Sequence, residues 1–136
     1  PWFKSLTLMF QKEVGMRIIA KPKTKEYGRL SVLCQYRADV DVLFDIPARA
    51  FSPPPKVTSC IVQIIPREEN PDAPDQKILE KLVSAAFNQR RKMLRSSLKR
   101  LGDPLPMLKA ANISETARAE ELSVDDFCRL AKQYEN

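Results

Sequence analysis

The chain has 136 residues, with 23 Lys plus Arg against 17 Asp plus Glu, a formal charge of +6, and 43% hydrophobic residues. This is about one domain's worth of sequence with enough apolar content for a core and no run near the roughly 20 residues of a bilayer span, which excludes wholesale disorder and a membrane helix. The absence of histidine and the wide spacing of Cys34, Cys60 and Cys128 exclude His-based acid–base catalysis and a structural zinc site, and predict free thiols in a reducing cytoplasm.

The chain opens on Pro1 rather than Met, beside a strand-like run, and reads as a fragment or a processed product. Leu6 to Gln11 is a short, nearly continuous apolar strand, and Glu13 to Ala20 follows with helical character. After the loop Lys21-Pro22-Lys23-Thr24-Lys25, Leu30, Leu33, Cys34 and Arg37 fall at helical spacing and predict a helix over 28–38. Val40, Val42, Phe44 and Ile46 then alternate as a strand of period two. Val57 to Ile65 is β-branched and apolar on both faces, which predicts a buried strand. Residues 67–75, polar and holding Pro71 and Pro74, read as a linker.

Beyond the linker the period becomes helical. Asp75 is placed to cap a helix containing Ile78, Leu79, Leu82, Val83, Ala86 and Phe87. A second helix is predicted over 91–101, with Leu94, Leu98 and Leu101 as its buried stripe and Gly102 as its stop. Short helices follow near 105–111 and 115–121, and the last starts at Ser123, with Asp126 completing a variant capping box.

Two segments stand out chemically. Phe51-Ser52-Pro53-Pro54-Pro55-Lys56 is stiffened by its prolines, because each fixes its own φ and restricts the residue before it. Such a loop holds Phe51 either as a stacking platform for a flat ligand such as a base, or as a buried anchor, or as part of an extended segment bound by a partner. The second segment lies in residues 76–109, where 9 basic side chains face only Glu80 and Asp103. On a continuous helix Arg91, Arg95 and Lys99 would form one cationic stripe, costing a few tenths of a kcal/mol per like-charge pair, which makes sense if an anion is the neighbour. A solvated helix face is the plainer alternative. Glu13 and Arg17, at i and i+4, join Gln11, Lys12 and Tyr27 as candidate crevice residues at the strand end; the alternatives are an ordinary salt-bridged helix start and, for Tyr27, a plain core residue. The three glycines, Gly15, Gly28 and Gly102, are too scattered for a phosphate-cradling loop.

Taken in order, Gln11-Lys12-Glu13-Val14, Tyr27 to Val32, Phe51 to Ser59, Phe87-Asn88-Gln89-Arg90-Arg91-Lys92 and Arg118 to Ser123 resemble the bacterial small-subunit rRNA adenine dimethyltransferases. The resemblance implies an α/β fold made of the C-terminal strands and helices of a Rossmann-like methyltransferase sheet followed by a small all-α domain. Residues 1–66 would be the catalytic-domain part, 67–75 the linker and 76–136 the helical rRNA-binding domain. It implies transfer of methyl groups from S-adenosylmethionine to N6 of two adjacent adenines in a hairpin loop near the 3′ end of small-subunit rRNA, during ribosome assembly in the cytoplasm. The family's cofactor loop and Asn-Leu-Pro-Tyr motif are absent from these residues, so no cofactor-binding, catalytic or metal residue is assigned and the isolated chain is expected to be inactive. Phe51 would stack on the target adenine, and Lys56, Arg90, Arg91, Lys92, Arg95 and Lys99 would hold rRNA phosphates. The immature small subunit is the implied partner, and bare sheet edges predict a dimer or strand swap. A non-catalytic RNA-binding assembly module and a large-subunit rRNA adenine methyltransferase are the rival readings.

Overall fold

The computed structural model describes residues 3–135. Pro1, on which the fragment expectation rests, lies outside them. Three strands form one antiparallel sheet in the order β1-β3-β2: β1 (Leu6–Gln11), β2 (Ala38–Ile46) and β3 (Ser59–Pro66). Both outer strands run antiparallel to β3, so β1 and β2 are parallel to each other and need a crossover. Helices α1 (Lys12–Ile19) and α2 (Arg29–Gln35) supply it. They pack on one face of the sheet, where Ile18 closes over Cys60 and Val62, flanked by Phe10, Val14, Val40, Val42 and Ile64.

Side-chain hydrogen bonds set the angle between the two helices. Gln35 Nε2 donates to the carbonyls of Ile18 and Ala20 at the open end of α1, both at 2.8 Å. Ser31 Oγ donates to the Arg17 carbonyl at 2.5 Å. α2 is shorter than its spacing predicts because Ala38 is drawn into the sheet opposite Pro66, and the Arg67 N–H bonds the Arg37 carbonyl at 2.9 Å.

Two strand expectations are corrected. The register slips between Val42 and Phe44, a bulge that puts two residues of β2 against one of β3. Period two therefore breaks, and Phe44, which strict alternation would put on the face of Val40 and Val42, moves to the opposite face and is 56% exposed. β3 is central and its Cys60 and Val62 are sealed, yet its other face is open, with Met9 and Phe44 exposed on either side of Ile61 and Ile65 41% exposed further along the strand. The run is apolar on both faces, but among the described residues helices cover only one.

The second half begins with α3 (Gln76–Asn88), capped as expected by Asp75, whose carboxylate accepts from the Lys77 N–H at 2.8 Å. α4 (Leu94–Ser97), α5 (Leu105–Ala110) and α6 (Val124–Glu135) complete it. Ser123 and Asp126 form the reciprocal cap of α6 at 2.9 and 3.0 Å. Leu79, Leu82, Leu94, Leu98, Phe127 and Leu130 are all fully buried in this core. Tyr27 and Val32, from the first half of the sequence, are buried in the same cluster.

The basic helix expected over 91–101 does not form. The backbone turns through Gln89–Lys92, and Met93 bridges to Arg118 instead. The Leu94 N–H bonds the Ala117 carbonyl at 2.8 Å and the Arg95 N–H that of Glu115 at 3.2 Å. Backbone donors spent on this partner are unavailable to a longer helix, and only α4 and a 3-10 turn at Lys99–Leu101 remain. The same pairing follows a turn at Glu115 and Thr116, closed by the Ala117 N–H on the Ser114 carbonyl at 3.1 Å, and leaves only a 3-10 turn, Ala119–Glu121, of the helix predicted over 115–121.

Candidate nucleic-acid interface

Two regions contain several of the residues singled out by sequence. The first lies where β1 ends. Lys12, the first residue of α1, places its ammonium 2.7 Å from Asp45 near the end of β2, and its N–H bonds the Thr58 carbonyl at 2.9 Å. The hydrogen bond to Asp45 and that carboxylate's charge hold the Lys12 pKa above its ordinary value. Gln11 is exposed beside it. The proline loop leaves β2 at this end and returns as β3, so Phe51 and Lys56 belong to the connection at the same end of the sheet. Phe51 is half-buried rather than sealed, its N–H held by the Ala48 carbonyl at 3.2 Å, while Ser52 to Val57 are exposed. Burial pushes the Cys60 thiol beneath this edge upward, as does the Asp45 carboxylate.

The second region is a groove between the sheet-packed helices and the helical half. One stretch, about 540 Å³, is lined by Lys25, Arg90, Arg91, Arg118 and Glu120. A second, about 740 Å³, continues past Lys25 and Arg90 to Arg17 and Arg29, with Glu26 and Glu80 among its other walls. Arg17 shares α1 with Lys12, five residues or about 7.5 Å of helix rise away, so one short helix spans both regions. Arg17 is itself paired with Glu13 at 2.6 Å, an exposed i,i+4 pair of small energetic weight.

The structure separates the expected residues. Arg91 and Lys92 are exposed on the turn after α3, and no ion pair engages them among the described residues. Arg95 lies 3.4 Å from Glu115 and is partly neutralised. Lys99 is exposed on the 3-10 turn rather than on a stripe shared with Arg91. Arg90 points inward: its guanidinium donates to the Tyr27 carbonyl at 2.7 Å and the Thr24 carbonyl at 2.9 Å, and lies 3.5 Å from the Glu120 carboxylate. Tyr27 lines no crevice. It is fully buried, edge-on to Phe87 at 5.9 Å, and burial raises its pKa, helped by the charges of Asp126 and Cys128. Its hydroxyl has no hydrogen-bond partner among the described residues.

Lys25, Arg29 and Arg118 belong to the groove, but sequence reasoning did not select them. Lys25 sits in a loop with no period to read. Arg118 lies 27 residues from Arg91 in a segment of net acidic charge. Its signal was the Met93–Arg118 bridge, which is tertiary.

This three-stranded sheet with helices on one face, joined to a helical half, is similar in fold to part of solved methyltransferase structures. The 23S rRNA methyltransferase ErmE matches the whole chain at TM-score 0.62 over 57% of its own length; at 21% identity this is a likeness of fold alone. The chain belongs to the ribosomal RNA adenine dimethylase family, whose model matches residues 1–136. It is 56% identical over 135 residues to the Ribosomal RNA small subunit methyltransferase A of Xanthobacter autotrophicus, covering 98% of this chain and 46% of that protein. The protein of the same name from Azorhizobium caulinodans is 55% identical over the same shares. A dimethyladenosine transferase from Plasmodium falciparum superposes on 96% of the chain at TM-score 0.83 and 27% identity, using 56% of its own length. The chain thus spans about half the length of the curated relatives it matches. That overlap does not by itself support the expected C-terminal placement. Among the described residues no helix is long and apolar enough to cross a membrane.

Proposed function

We propose that this chain is the RNA-gripping part of an S-adenosylmethionine-dependent enzyme that dimethylates adenine N6 in small-subunit rRNA, acting on the immature subunit in the cytoplasm. The observation that carries this reading is the convergence of Lys25, Arg91 and Arg118, from three distant stretches of sequence, on the first stretch of the groove, where the one acid among the described lining residues, Glu120, already faces Arg90. Bringing like charges together costs energy unless an anion is the neighbour, and a phosphate backbone matches the forked donors of arginine. The small-subunit target is favoured over a large-subunit one by the names of relatives at 55–56% identity, against 21% for ErmE.

The described residues do not fit S-adenosylmethionine. Gly15 is packed against Cys60, Gly28 precedes α2 with open space around it, and Gly102 lies in a turn at φ +119°, so no two of them form a cradle. The cofactor falls to residues beyond these 136, and the chain alone neither binds it nor turns over. Its own contribution is to hold the RNA backbone in the groove and offer Phe51, half-exposed at the strand end, as a stacking surface for a base. This placement would fix the amine of an unstacked adenine without requiring a histidine. The bare sheet face carrying Met9, Phe44 and Ile65 supports self-association of the isolated chain.

The test is binding to an rRNA hairpin with two adjacent adenines, followed by fluorescence anisotropy across a salt series. Replacing Arg91 and Arg118 together with Ala should weaken binding and flatten the log–log salt slope by about 1.4–1.8, since two phosphate contacts are lost. An unchanged slope removes the groove from the interface. No binding by the unaltered chain sinks the reading as a whole.

A further inference from the structure

We infer that Arg90 is a positioning residue: its guanidinium straps the Lys21–Tyr27 loop to the helical half and so presents Lys25 to the groove opposite Arg91 and Arg118. The inference rests on the RNA reading of that groove, but assigns Arg90 a different task from its cationic neighbours.

The strap is held at several points. Its far end is the buried Tyr27 ring, locked in the helical core. In its middle, Lys23 adopts φ +70° and its N–H donates to the Glu120 carbonyl at 2.7 Å. Between these, Arg90 donates to both the Thr24 and Tyr27 carbonyls, bracketing Lys25 and Glu26. The Thr24 carbonyl also accepts the Tyr27 N–H at 3.3 Å, and Thr24 Oγ1 closes the turn onto the Lys21 carbonyl at 2.7 Å. Glu120 touches both partners, its carbonyl taking the Lys23 N–H of the strap and its carboxylate lying 3.5 Å from the clamping Arg90.

A planar fork with fixed donors reaches two carbonyls at once, whereas a lysine ammonium in the same place is a point charge with one reach. Without the clamp, Lys25 would sit on an exposed loop with few contacts and would move away from Arg91 and Arg118 under their repulsion. Holding it there in advance removes an ordering cost that RNA binding would otherwise meet, worth roughly a three- to tenfold change in affinity for one such side chain.

Arg90→Lys keeps the charge and removes the fork, which separates the two roles. In the hairpin anisotropy assay it should weaken binding roughly three- to tenfold with the salt slope unchanged. Lys25→Ala should then cost less in the Arg90→Lys background than in the unaltered chain. Hydrogen exchange at the Lys23 and Tyr27 amides, which needs no RNA, should accelerate in Arg90→Lys. A second pair leaves Arg90 untouched: Lys23→Pro loses the N–H and forbids the positive φ, while Lys23→Gly keeps both and loses the same charge. Lys23→Pro should bind more weakly than Lys23→Gly, and this comparison decides the matter if Arg90→Lys does not fold. Wild-type affinity in Arg90→Lys, an equal Lys25→Ala cost in both backgrounds, or equal binding by the two Lys23 variants would overturn the inference. A chain that never binds the hairpin would overturn the RNA reading instead, and the exchange rates would still report whether Arg90 holds the strap.

Discussion

Gly15 is the point where α1 touches the sheet most closely, and its substitution has a calculable outcome. A Cβ built there collides with the Cys60 sulfur and meets Val62 Cγ2 at 3.4 Å. The sulfur cannot swing out into solvent, since Cys60 is fully buried under the helices with Ile18 and Val62. Either α1 lifts off the sheet or the thiol takes a strained rotamer, the overpacking case that typically costs ~1–3 kcal/mol. For a chain of this size that corresponds to a melting temperature lower by roughly 3–12 °C. Cys60→Ala removes the obstructing sulfur at a cost of its own of about 1 kcal/mol. In the double variant the new methyl occupies the vacated space, so its stability should approach that of Cys60→Ala alone. The coupling from a four-member denaturant cycle would be about 1–3 kcal/mol in the compensating direction. Additive losses, or a Gly15→Ala chain as stable as the parent, would refute the close approach of α1 and with it the placement of Lys12 and Arg17.

Asp126 gives a pH-dependent test. Burial works to raise its pKa, but the Ser123 backbone N–H, the Ser123 hydroxyl and Arg129 outweigh it and hold the value below the ordinary 3.8. A depressed folded-state pKa stabilises the fold above the unfolded-state value and loses that contribution as pH falls through the folded one. The stability gap between the parent and Asp126→Asn, followed by urea melts, should therefore hold steady from neutral pH down to the carboxylate range and shrink below it; a gap that widens in acid would contradict the assignment. In the longer enzyme, Phe51→Ala should slow methyl transfer by the equivalent of ~1–3 kcal/mol of lost stacking while hairpin affinity changes far less. Equal losses of rate and affinity in stopped-flow and anisotropy measurements would make Phe51 a loop anchor.

Much of this protein is legible in one dimension. The strands at Leu6–Gln11 and Ser59–Pro66, the Asp75 cap and the Ser123–Asp126 box are local matters of side-chain period and of which polar atom reaches a free N–H three residues on. The five matched segments fixed the family for the same reason, since each motif is contiguous. Tertiary contacts decided what local period cannot encode. The bulge that turns Phe44 outward depends on register with β3. The basic helix was broken by a bridge from Met93 to Arg118, 25 residues away, whose backbone bonds outcompete a helix already weakened by like charges. That break sorted the cations: it left Arg91 free at the groove, brought Arg118 and Lys25 beside it, and turned Arg90 onto two backbone carbonyls. Charge is a property of each residue alone, but whether a cation meets solvent, a carboxylate or a backbone carbonyl is settled only when distant segments pack.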